Sequence, residues 1–259
     1  MERKRKADIA VIVTCHNYGR YLRQCLRSIE NQVLKPASVL VVDDASTDET
    51  GEVARQFPEM EYRRVEFLNA NRSRNYGFTQ VSAEWVVFFD ADNYMSPGFL
   101  DELYVAARTH PDLDFVYCDR VNFTDGDGSW HPEPDGIRKS GPFQPDRLRR
   151  GNYVDIASLL RSGSFPGFDE SLRRYQDWDL WLNVVLRRQG CGHYVPKPLF
   201  YYRIHDANIS RRESDDRAVW CVRRKYRLGL YFNLPLVRDA CWLFCALRKL
   251  KRTAFGRSR

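Results

Sequence analysis

Apolar runs alternate with amphipathic segments along the first part of the chain. The run at 10–13 is continuously apolar, which predicts a parallel strand buried on both faces. Apolar residues then recur at helical spacing between Leu22 and Ile29, and this helix is predicted to end near Gln32. The chain therefore begins with a strand followed by a helix, the repeating unit of an α/β fold.

The same alternation continues as far as residue 119. Strands are predicted at 38–42, about 63–67, 85–89 and 115–118, and helices at about 46–57, 72–81 and 97–109. Ser46 and Glu49 have the spacing of a capping box at the start of the second helix. Because most strands are followed by a helix, the predicted fold class is α/β, with a mostly parallel central sheet flanked by helices.

The pattern is less regular in the second half of the chain. Residues 122–145 are rich in Gly, Pro and Asp and have no clear period, so a long loop is predicted there. Long loops inside compact domains are often functional. Helical spacing returns at 154–160 and 180–186, and 199–205 is predicted to be a late strand.

The net charge of +7 is concentrated at the carboxyl end. Residues 211–259 contain 14 Lys or Arg and 4 Asp or Glu, which gives a net charge of +10. Residues 1–210 therefore carry a net charge of −3. An acidic body argues against a nucleic-acid partner, whereas a basic tail with Trp and Leu favours an anionic membrane surface. We predict a helical amphipathic tail at 211–259, whose apolar stretch at 240–247 is too short to span a bilayer. The alternative is packing on the domain or on another subunit of a homo-oligomer.

Cysteine usage and the amino terminus bear on the compartment. The seven cysteines lack the paired spacing of zinc sites, so we interpret them as reduced structural thiols. The first apolar run is too short for a signal peptide or a membrane span. We expect a cytoplasmic protein, peripheral on the inner face of the plasma membrane through its basic tail.

Carboxylates follow two of the predicted strands. Asp43 and Asp44 come after the second strand, and Asp90 and Asp92 follow the strand at 85–89. Ligands of open α/β sheets bind at the carboxyl ends of the strands, so these positions predict a ligand site. Asp90 and Asp92 offer hard oxygen ligands for Mg²⁺ or Mn²⁺, ions that also bind substrate phosphates. By itself, however, an Asp-x-Asp sequence is common in solvated turns.

Several segments taken together resemble family 2 glycosyltransferases. They occur in the family's order and are VIVTCHNY at 11–18, VVDDASTD at 41–48, RNYG at 74–77, FFDAD at 88–92, QDWD at 176–179 and YRIHDANIS at 202–210. The resemblance implies a GT-A fold at 7–210, with a nucleotide-binding half at about 7–119 and an acceptor-binding half at about 120–210. The Gln-x-x-Arg-Trp motif of processive members does not occur, which favours the addition of a single sugar.

The resemblance also implies a nucleotide-sugar donor, with a UDP-sugar favoured. The implied donor-binding residues are Thr14, His16, Asn17, Asp43, Asp44, Arg74, Asn75, Asp90 and Ala91. Asp43 can accept the imide N–H of uracil, and Arg74 can pair with the diphosphate. Helix capping is the open alternative for Asp44, and a surface position is the alternative for Arg74.

The same resemblance implies a metal centre and a catalytic base. The metal, Mn²⁺ or Mg²⁺, would be held by Asp90, Asp92 and His205. Asp177 matches the base of an inverting transfer, and Asp179 is the competing candidate. Gln176 stands where the family commonly has Glu, so the role of that Glu is in doubt here.

The expected function follows from these assignments. We expect an inverting glycosyltransferase that adds one sugar to a glycan or lipid-linked acceptor in the synthesis of a surface polysaccharide or glycolipid. The alternative is a catalytically inactive module of the same fold that binds a sugar nucleotide or a glycan. A nucleotidyltransferase is disfavoured because the chain lacks a glycine-rich loop near its amino terminus.

Overall fold

A computed structural model describes residues 6–124, 134–206 and 215–229. Most of the predicted tail, including the apolar stretch at 240–247, lies outside these residues. The strands are β1 (Lys6–Cys15), β2 (Lys35–Asp44), β3 (Glu61–Val65), β4 (Trp85–Asp90), β5 (Tyr94–Met95), β6 (Phe115–Thr124), β7 (Gly136–Arg138), β8 (Leu159–Arg161) and β9 (Gly192–Ile204). The helices are α1 (Gly19–Glu30), α2 (Thr50–Ala54), α3 (Ala70–Thr79), α4 (Phe99–Thr109), α5 (Pro145–Arg150), α6 (Gln176–Leu182) and α7 (Asp215–Lys225). A single π-helical turn, Asn183–Arg187, continues α6.

The strands form one sheet in the order β3-β2-β1-β4-β8-β6-β9-β5, with β7 paired to β6. The first four strands of this order are parallel to one another. Beyond them β8 is antiparallel to both of its neighbours, whereas β6 and β9 are parallel. The predicted α/β class with flanking helices is confirmed, and the sheet is parallel in its amino-terminal half and mixed beyond it.

The sheet is buried on both faces. In β1, Val11 and Val13 belong to one apolar core with α1 and α4, while Ile12 belongs to the opposite core with α6. The close approach of α3 depends on Gly77, because a Cβ atom there would lie 2.6 Å from Cγ2 of Ile12. Burial on both faces explains why β1 is continuously apolar rather than alternating.

The predicted helix at 154–160 is wrong. The segment begins as a turn in which Asp155 Oδ1 accepts the Ala157 N–H at 3.1 Å and Ser158 Oγ donates to the Asp155 carbonyl at 2.6 Å. It continues as β8, inserted between β4 and β6, with Leu159 and Leu160 both buried. Pairing with strands distant in sequence overrides the local helical spacing.

The predicted capping box is also wrong. Helix α2 begins at Thr50, and Asp48 rather than Ser46 accepts the Thr50 N–H, at 3.1 Å. Ser46 Oγ instead accepts the N–H of Asn17 at 2.9 Å. The serine therefore ties the β1–α1 loop to the β2–α2 loop, so it does not start a helix.

The region predicted as a loop at 122–145 contains regular structure at both ends. Strand β6 runs on to Thr124, β7 pairs with it antiparallel, and α5 begins at Pro145. Residues 125–133 lie outside the described part of the chain. Asp119 is therefore within a strand, where it accepts the Ser140 N–H at 2.7 Å and the Tyr194 hydroxyl at 2.7 Å.

Helix α7, at the start of the predicted tail, packs on the domain. Val222 has no exposed surface, and Lys225 Nζ lies 2.6 Å from Asp169 and 2.8 Å from Asp179. In the described ranges, every helix is too short or too polar to cross a bilayer.

Candidate active site

A cavity of about 990 Å³ opens at the carboxyl ends of β1, β2 and β4. The predicted site residues in its wall are Thr14, His16, Asp44, Arg74, Asp90, Asp92 and Asp177. The predicted site residues that are not part of the cavity lining are Asn17, Asp43, Asn75, Ala91 and His205. The structure thus brings the predicted carboxylates of both halves of the domain to one cavity.

Asp44 fixes the loop that leads into α3. Its Oδ1 accepts the N–H groups of Phe67 and Leu68, both at 2.7 Å, and its Oδ2 accepts the Asn69 N–H at 2.8 Å. The Ser73 hydroxyl adds a fourth bond at 2.9 Å. The backbone carbonyl oxygen of Asp44 lies 2.5 Å from Nδ1 of His16. Asp44 therefore shapes the cavity wall at the end of β2 through backbone contacts, while the N-cap of α3 is Asn69.

Asp43 has no access to the cavity. Its side chain is 1% exposed, and Oδ2 accepts the Tyr62 hydroxyl at 2.6 Å and lies 3.3 Å from the Arg64 guanidinium. Its Oδ1 accepts the Ser46 N–H at 3.0 Å. For Asp43 to read a uracil ring, the contacts from Tyr62 and Arg64 would have to be given up.

Two predicted donor-binding asparagines hold loops in place. Asn17 has a positive φ of 56°, and its Oδ1 accepts the Thr47 N–H at 2.8 Å. Asn75 binds the backbone of Phe168 on both sides, donating to its carbonyl at 3.0 Å and accepting its N–H at 2.8 Å. Neither asparagine is part of the cavity lining.

Asp90 and Arg74 form an ion pair in the wall. The Arg74 guanidinium lies 2.7 Å from Asp90 Oδ1, and the Thr14 hydroxyl donates to the same oxygen at 3.3 Å. The Arg74 side chain is 6% exposed and lies over the Phe168 ring, so it is not a surface arginine. The pair fixes a cation and a carboxylate side by side.

Asp92 and His205 meet although they are far apart in sequence. His205 Nε2 lies 3.1 Å from Asp92 Oδ2, and both side chains are buried. The rings of Tyr18 and Tyr21 pack against the imidazole at 5.3 and 5.2 Å. Burial is the largest influence on the Asp92 carboxyl and raises its pKa.

Arg203 positions His205 beside Asp92. From the end of β9 its Nε donates to the Asp92 carbonyl at 2.9 Å, and its backbone N–H donates to Asn93 Oδ1 at 3.0 Å. Its guanidinium is stacked over Tyr21. The end of β9 is thereby tied to the turn that follows β4.

The predicted metal ligands are only partly assembled. Within the three described ranges, no group of three His, Cys, Asp or Glu side chains is close enough to hold one ion. Asp92 and His205 are in contact, whereas Asp90 is paired with Arg74.

Asp177 lies at the first turn of α6 and faces the cavity. Its Oδ2 accepts the side-chain N–H of Asn152 at 2.6 Å, and its Oδ1 accepts the Trp178 N–H at 2.8 Å. Burial raises the pKa of Asp177 to about 6, with the charge of Asp155 adding to the rise and those of Arg74 and Arg120 opposing it. The site therefore holds a carboxylate that takes a proton more readily than an ordinary aspartate.

Asp179 lies behind the cavity. It is buried, and both of its oxygens lie within 3 Å of Lys225 Nζ, at 2.8 and 2.9 Å. Its backbone carbonyl accepts the Tyr226 hydroxyl at 2.9 Å. Asp179 therefore joins α6 to α7, and of the two candidate bases only Asp177 reaches the cavity.

Sequence reasoning missed three polar residues around Asp177. The Arg120 guanidinium forms an ion pair with Asp155 and stacks over Tyr202, while Asn152 binds Asp177 directly. Arg120 lies one residue beyond the predicted strand end at Asp119. This position at a strand end was the one feature of the sequence that could have indicated a site residue. Asn152 sits in an irregular segment whose sequence gives no comparable indication.

Known proteins resemble this chain in sequence and in fold. The family model described as glycosyl transferase family 2 matches residues 10–172. The O-antigen biosynthesis protein RfbC of Myxococcus xanthus is 30% identical over 80% of this chain, which spans 17% of RfbC. Glycosyltransferase GlyA of Streptococcus pneumoniae is 40% identical over 48% of this chain, which spans 18% of GlyA. The chain thus covers only a small part of these two relatives.

Solved structures share the fold at low sequence identity. S. aureus TarS 1-349 in complex with UDP-GlcNAc gives a TM-score of 0.69 at 18% identity, over 89% of this chain and 68% of that one. The mannosyltransferase PcManGT from Pyrobaculum calidifontis, in complex with GDP-Man and Mn²⁺, gives a TM-score of 0.62 at 16% identity. The match covers 87% of this chain and 66% of that chain. With the family match covering more than half of the sequence, this chain belongs to glycosyl transferase family 2.

Proposed function

We propose that this protein is an inverting glycosyltransferase that moves one sugar from a nucleotide-sugar donor to a glycan or lipid-linked acceptor during synthesis of a surface polysaccharide or glycolipid. One observation carries the proposal. The carboxylate of Asp177 shares a cavity with Asp90 and Asp92 and has a pKa raised to about 6. Membership of the family and the O-antigen relative support the same reading.

The role of Asp177 follows from its chemistry. In an inverting transfer the acceptor oxygen bonds to C1 of the donor sugar as the bond from C1 to the diphosphate breaks with its electron pair. The acceptor hydroxyl must lose its proton as this happens, and a general base close to neutral pKa is suited to accept it. Asn152 and the Trp178 N–H fix the orientation of Asp177 for that transfer.

The Asp92 and His205 pair suits a divalent cation. Carboxylate oxygen and neutral imidazole are acceptable Mn²⁺ ligands. Asp92 and His205, whose nearest side-chain atoms lie 3.1 Å apart, would hold such an ion together. Two protein ligands are sufficient where substrate phosphates and waters complete the shell. When bound, such an ion supplies positive charge that stabilises the leaving diphosphate.

A UDP-sugar is the favoured donor. A fold neighbour is described with UDP-GlcNAc and another with GDP-Man and Mn²⁺, so both nucleotides occur among proteins of this shape. Thr14, His16 and Asp44 line the donor end of the cavity, and Arg74 provides a fixed cation there. The guanidinium can pair with a phosphate oxygen while it stays beside Asp90.

Thermal unfolding with UDP-, GDP- and dTDP-sugars, with and without Mn²⁺, tests this proposal. A ligand at about 100 times its Kd stabilises a protein by about 2.7 kcal/mol, which a shift of the unfolding midpoint reports. We expect a UDP-sugar to raise the midpoint most, and Mn²⁺ to increase that rise. Asp92→Asn should remove the effect of Mn²⁺, whereas Asp112→Asn, at an exposed position outside the cavity, should retain it.

Two results would contradict the proposal. If no nucleotide sugar raises the midpoint, the cavity is not a donor site. If stabilisation is the same with and without Mn²⁺ in the unmodified protein, the metal role of Asp92 and His205 is wrong while a donor site remains.

A further inference from the structure

Several arginines line the same cavity as Asp177. Two of the cavity arginines have carboxylate partners, since Arg74 pairs with Asp90 and Arg120 with Asp155. Arg138, Arg150 and Arg173 also line the cavity, and all three are exposed. Among the described residues none of these three forms an ion pair. We call Arg138, Arg150 and Arg173 the arginine rim.

The arginine rim comes from three separate segments, all of which line the cavity that Asp177 also lines. Arg138 ends β7 and, together with Asn152 and Asp177, lines a small recess of about 30 Å³. Arg150 ends α5, two residues before Asn152, whose side chain binds Asp177. Arg173 lies four residues before Asp177, in the loop that leads into α6.

One rim arginine, Arg138, also lines a recess that is separate from the proposed donor-binding residues. The recess beside Arg138 contains none of the donor-end residues Thr14, Asp44 and Asp90. All three rim arginines also belong to the half of the domain that follows residue 120, where the acceptor is expected. In the proposed reaction the acceptor approaches Asp177, because Asp177 takes its proton.

We propose that the arginine rim binds a phosphate group carried by the acceptor. This inference rests on the proposed function, since it identifies the chemical class of the acceptor. Unpaired cations that line one cavity repel one another, and an anion that neutralises them removes that cost. The guanidinium fork matches the geometry of phosphate oxygens and can bind two of them at once.

A phosphate suits the rim better than a single carboxylate does. Three guanidinium groups carry three positive charges, whereas a uronic acid or similar sugar brings only one negative charge. A diphosphate, or two neighbouring phosphodiesters, brings at least two negative charges and enough oxygens for several arginines. Such groups occur on lipid carriers and in phosphate-linked polymers, and the experiment below separates these two sources.

Equilibrium binding of two phosphate probes tests the proposal, with saturating UDP present so that the donor end is occupied. One probe is a soluble glycerol phosphate trimer, and the other is farnesyl diphosphate in neutral detergent micelles. Glycerol and farnesol are their uncharged controls. We expect at least one phosphate probe to bind, its affinity to fall with added salt, and the uncharged controls not to bind.

Substitutions distinguish binding of the probes by the rim from their attraction to general positive charge on the surface. Arg150→Ala and Arg173→Ala should each weaken probe binding by roughly tenfold, and the combination with Arg138→Ala should weaken it further. Arg149→Ala is the matched control, because Arg149 is the exposed neighbour of Arg150 on α5 and lies outside the cavity lining. It should leave probe affinity unchanged. Unaltered thermal unfolding of each variant establishes that the fold is retained.

Each outcome decides the matter. Binding of the trimer alone supports a polymer phosphodiester, and binding of farnesyl diphosphate alone supports a lipid carrier. The proposal is overturned if neither probe binds in the presence of UDP, or if the triple variant binds as well as the unmodified protein. If nucleotide sugars fail to bind but the probes bind through the rim, the proposed function fails and the anion site stands.

Discussion

The two ends of the cavity, the proposed donor end and the proposed acceptor end, differ in how their charged groups are partnered. At the donor end, Asp44 accepts bonds from three backbone N–H groups and a hydroxyl, Asp90 is paired with Arg74, and Asp92 contacts His205. At the acceptor end, the arginine rim is exposed and lacks carboxylate partners among the described residues. The donor end is thus held by the protein itself, whereas the acceptor end has charge left for a ligand.

This difference separates two kinds of contribution to function. Internal bonds at the donor end fix the shape of the wall, so substitutions there should affect stability and donor binding together. Rim arginines take no part in such bonds, so their loss should affect acceptor binding alone. Substitution of Asp177 should leave donor binding and acceptor binding unchanged and slow only the transfer step.

The largest expected effect is that of Asp177→Asn. Loss of a general base lowers turnover by about a thousandfold, equivalent to about 4 kcal/mol, while donor binding persists. The measurement is UDP release from the donor that stabilises the protein. Asp179→Asn is the control, because Asp179 pairs with Lys225 behind the cavity and should lower stability rather than the rate of the folded enzyme. A variant at Asp177 with full turnover would remove that residue as the base.

Asp44→Ala should have the next largest effect. It leaves the N–H groups of Phe67, Leu68 and Asn69 without their acceptor, which costs about 3 kcal/mol in the free energy of unfolding. Urea unfolding measures this loss. Asp112→Ala, at an exposed position, should change the free energy by less than about 0.5 kcal/mol. Equal stability of the two variants would show that the donor end is not held by Asp44.

Gly77→Ala should destabilise the protein by about 2 kcal/mol. The added Cβ would lie 2.6 Å from Ile12 Cγ2 and 3.1 Å from Val42 Cγ2, which pushes α3 and its Arg74 away from the sheet. Gly163→Ala is the matched control, since no atom lies within 4 Å of a Cβ there. Thermal unfolding compares the two, and a stable Gly77→Ala variant would contradict the tight packing of α3.

The smallest effect concerns the pH dependence of turnover. The base must be ionised to accept a proton, and burial raises the pKa of Asp177 to about 6, so the rate should rise with pH through about 6. The charge of Asp155 contributes to that raised pKa, so Asp155→Asn should move the rising limb to lower pH. A limb that stays in place or moves to higher pH would contradict this coupling.

Local patterns in the sequence predict the amino-terminal half well. The continuous apolar run at 10–13 and the strand at 85–89 identify β1 and β4, and β4 delivers Asp90 and Asp92 to the cavity as expected. Each of these inferences depends only on residues adjacent in sequence and on the rule that ligands bind at strand ends.

Contacts between distant residues could not be predicted in the same way. Asp43 is covered by Tyr62 and Arg64, which come from β3 and have no recognisable relation to it in the sequence. The turn at Asp155 and the insertion of β8 depend on pairing with β4 and β6. The contact of His205 with Asp92 depends on tertiary contacts of Arg203, so only the family resemblance linked the two residues in advance.

The contact of Lys225 with Asp169 and Asp179 sets the practical limit for shortening the chain. A protein cut at residue 210, where the family motifs end, would lose Lys225, the cation beside Asp169 and Asp179, and would uncover the apolar surface that Val222 closes. A shortened form of the protein therefore needs to extend through α7, and its solubility should drop sharply when it does not.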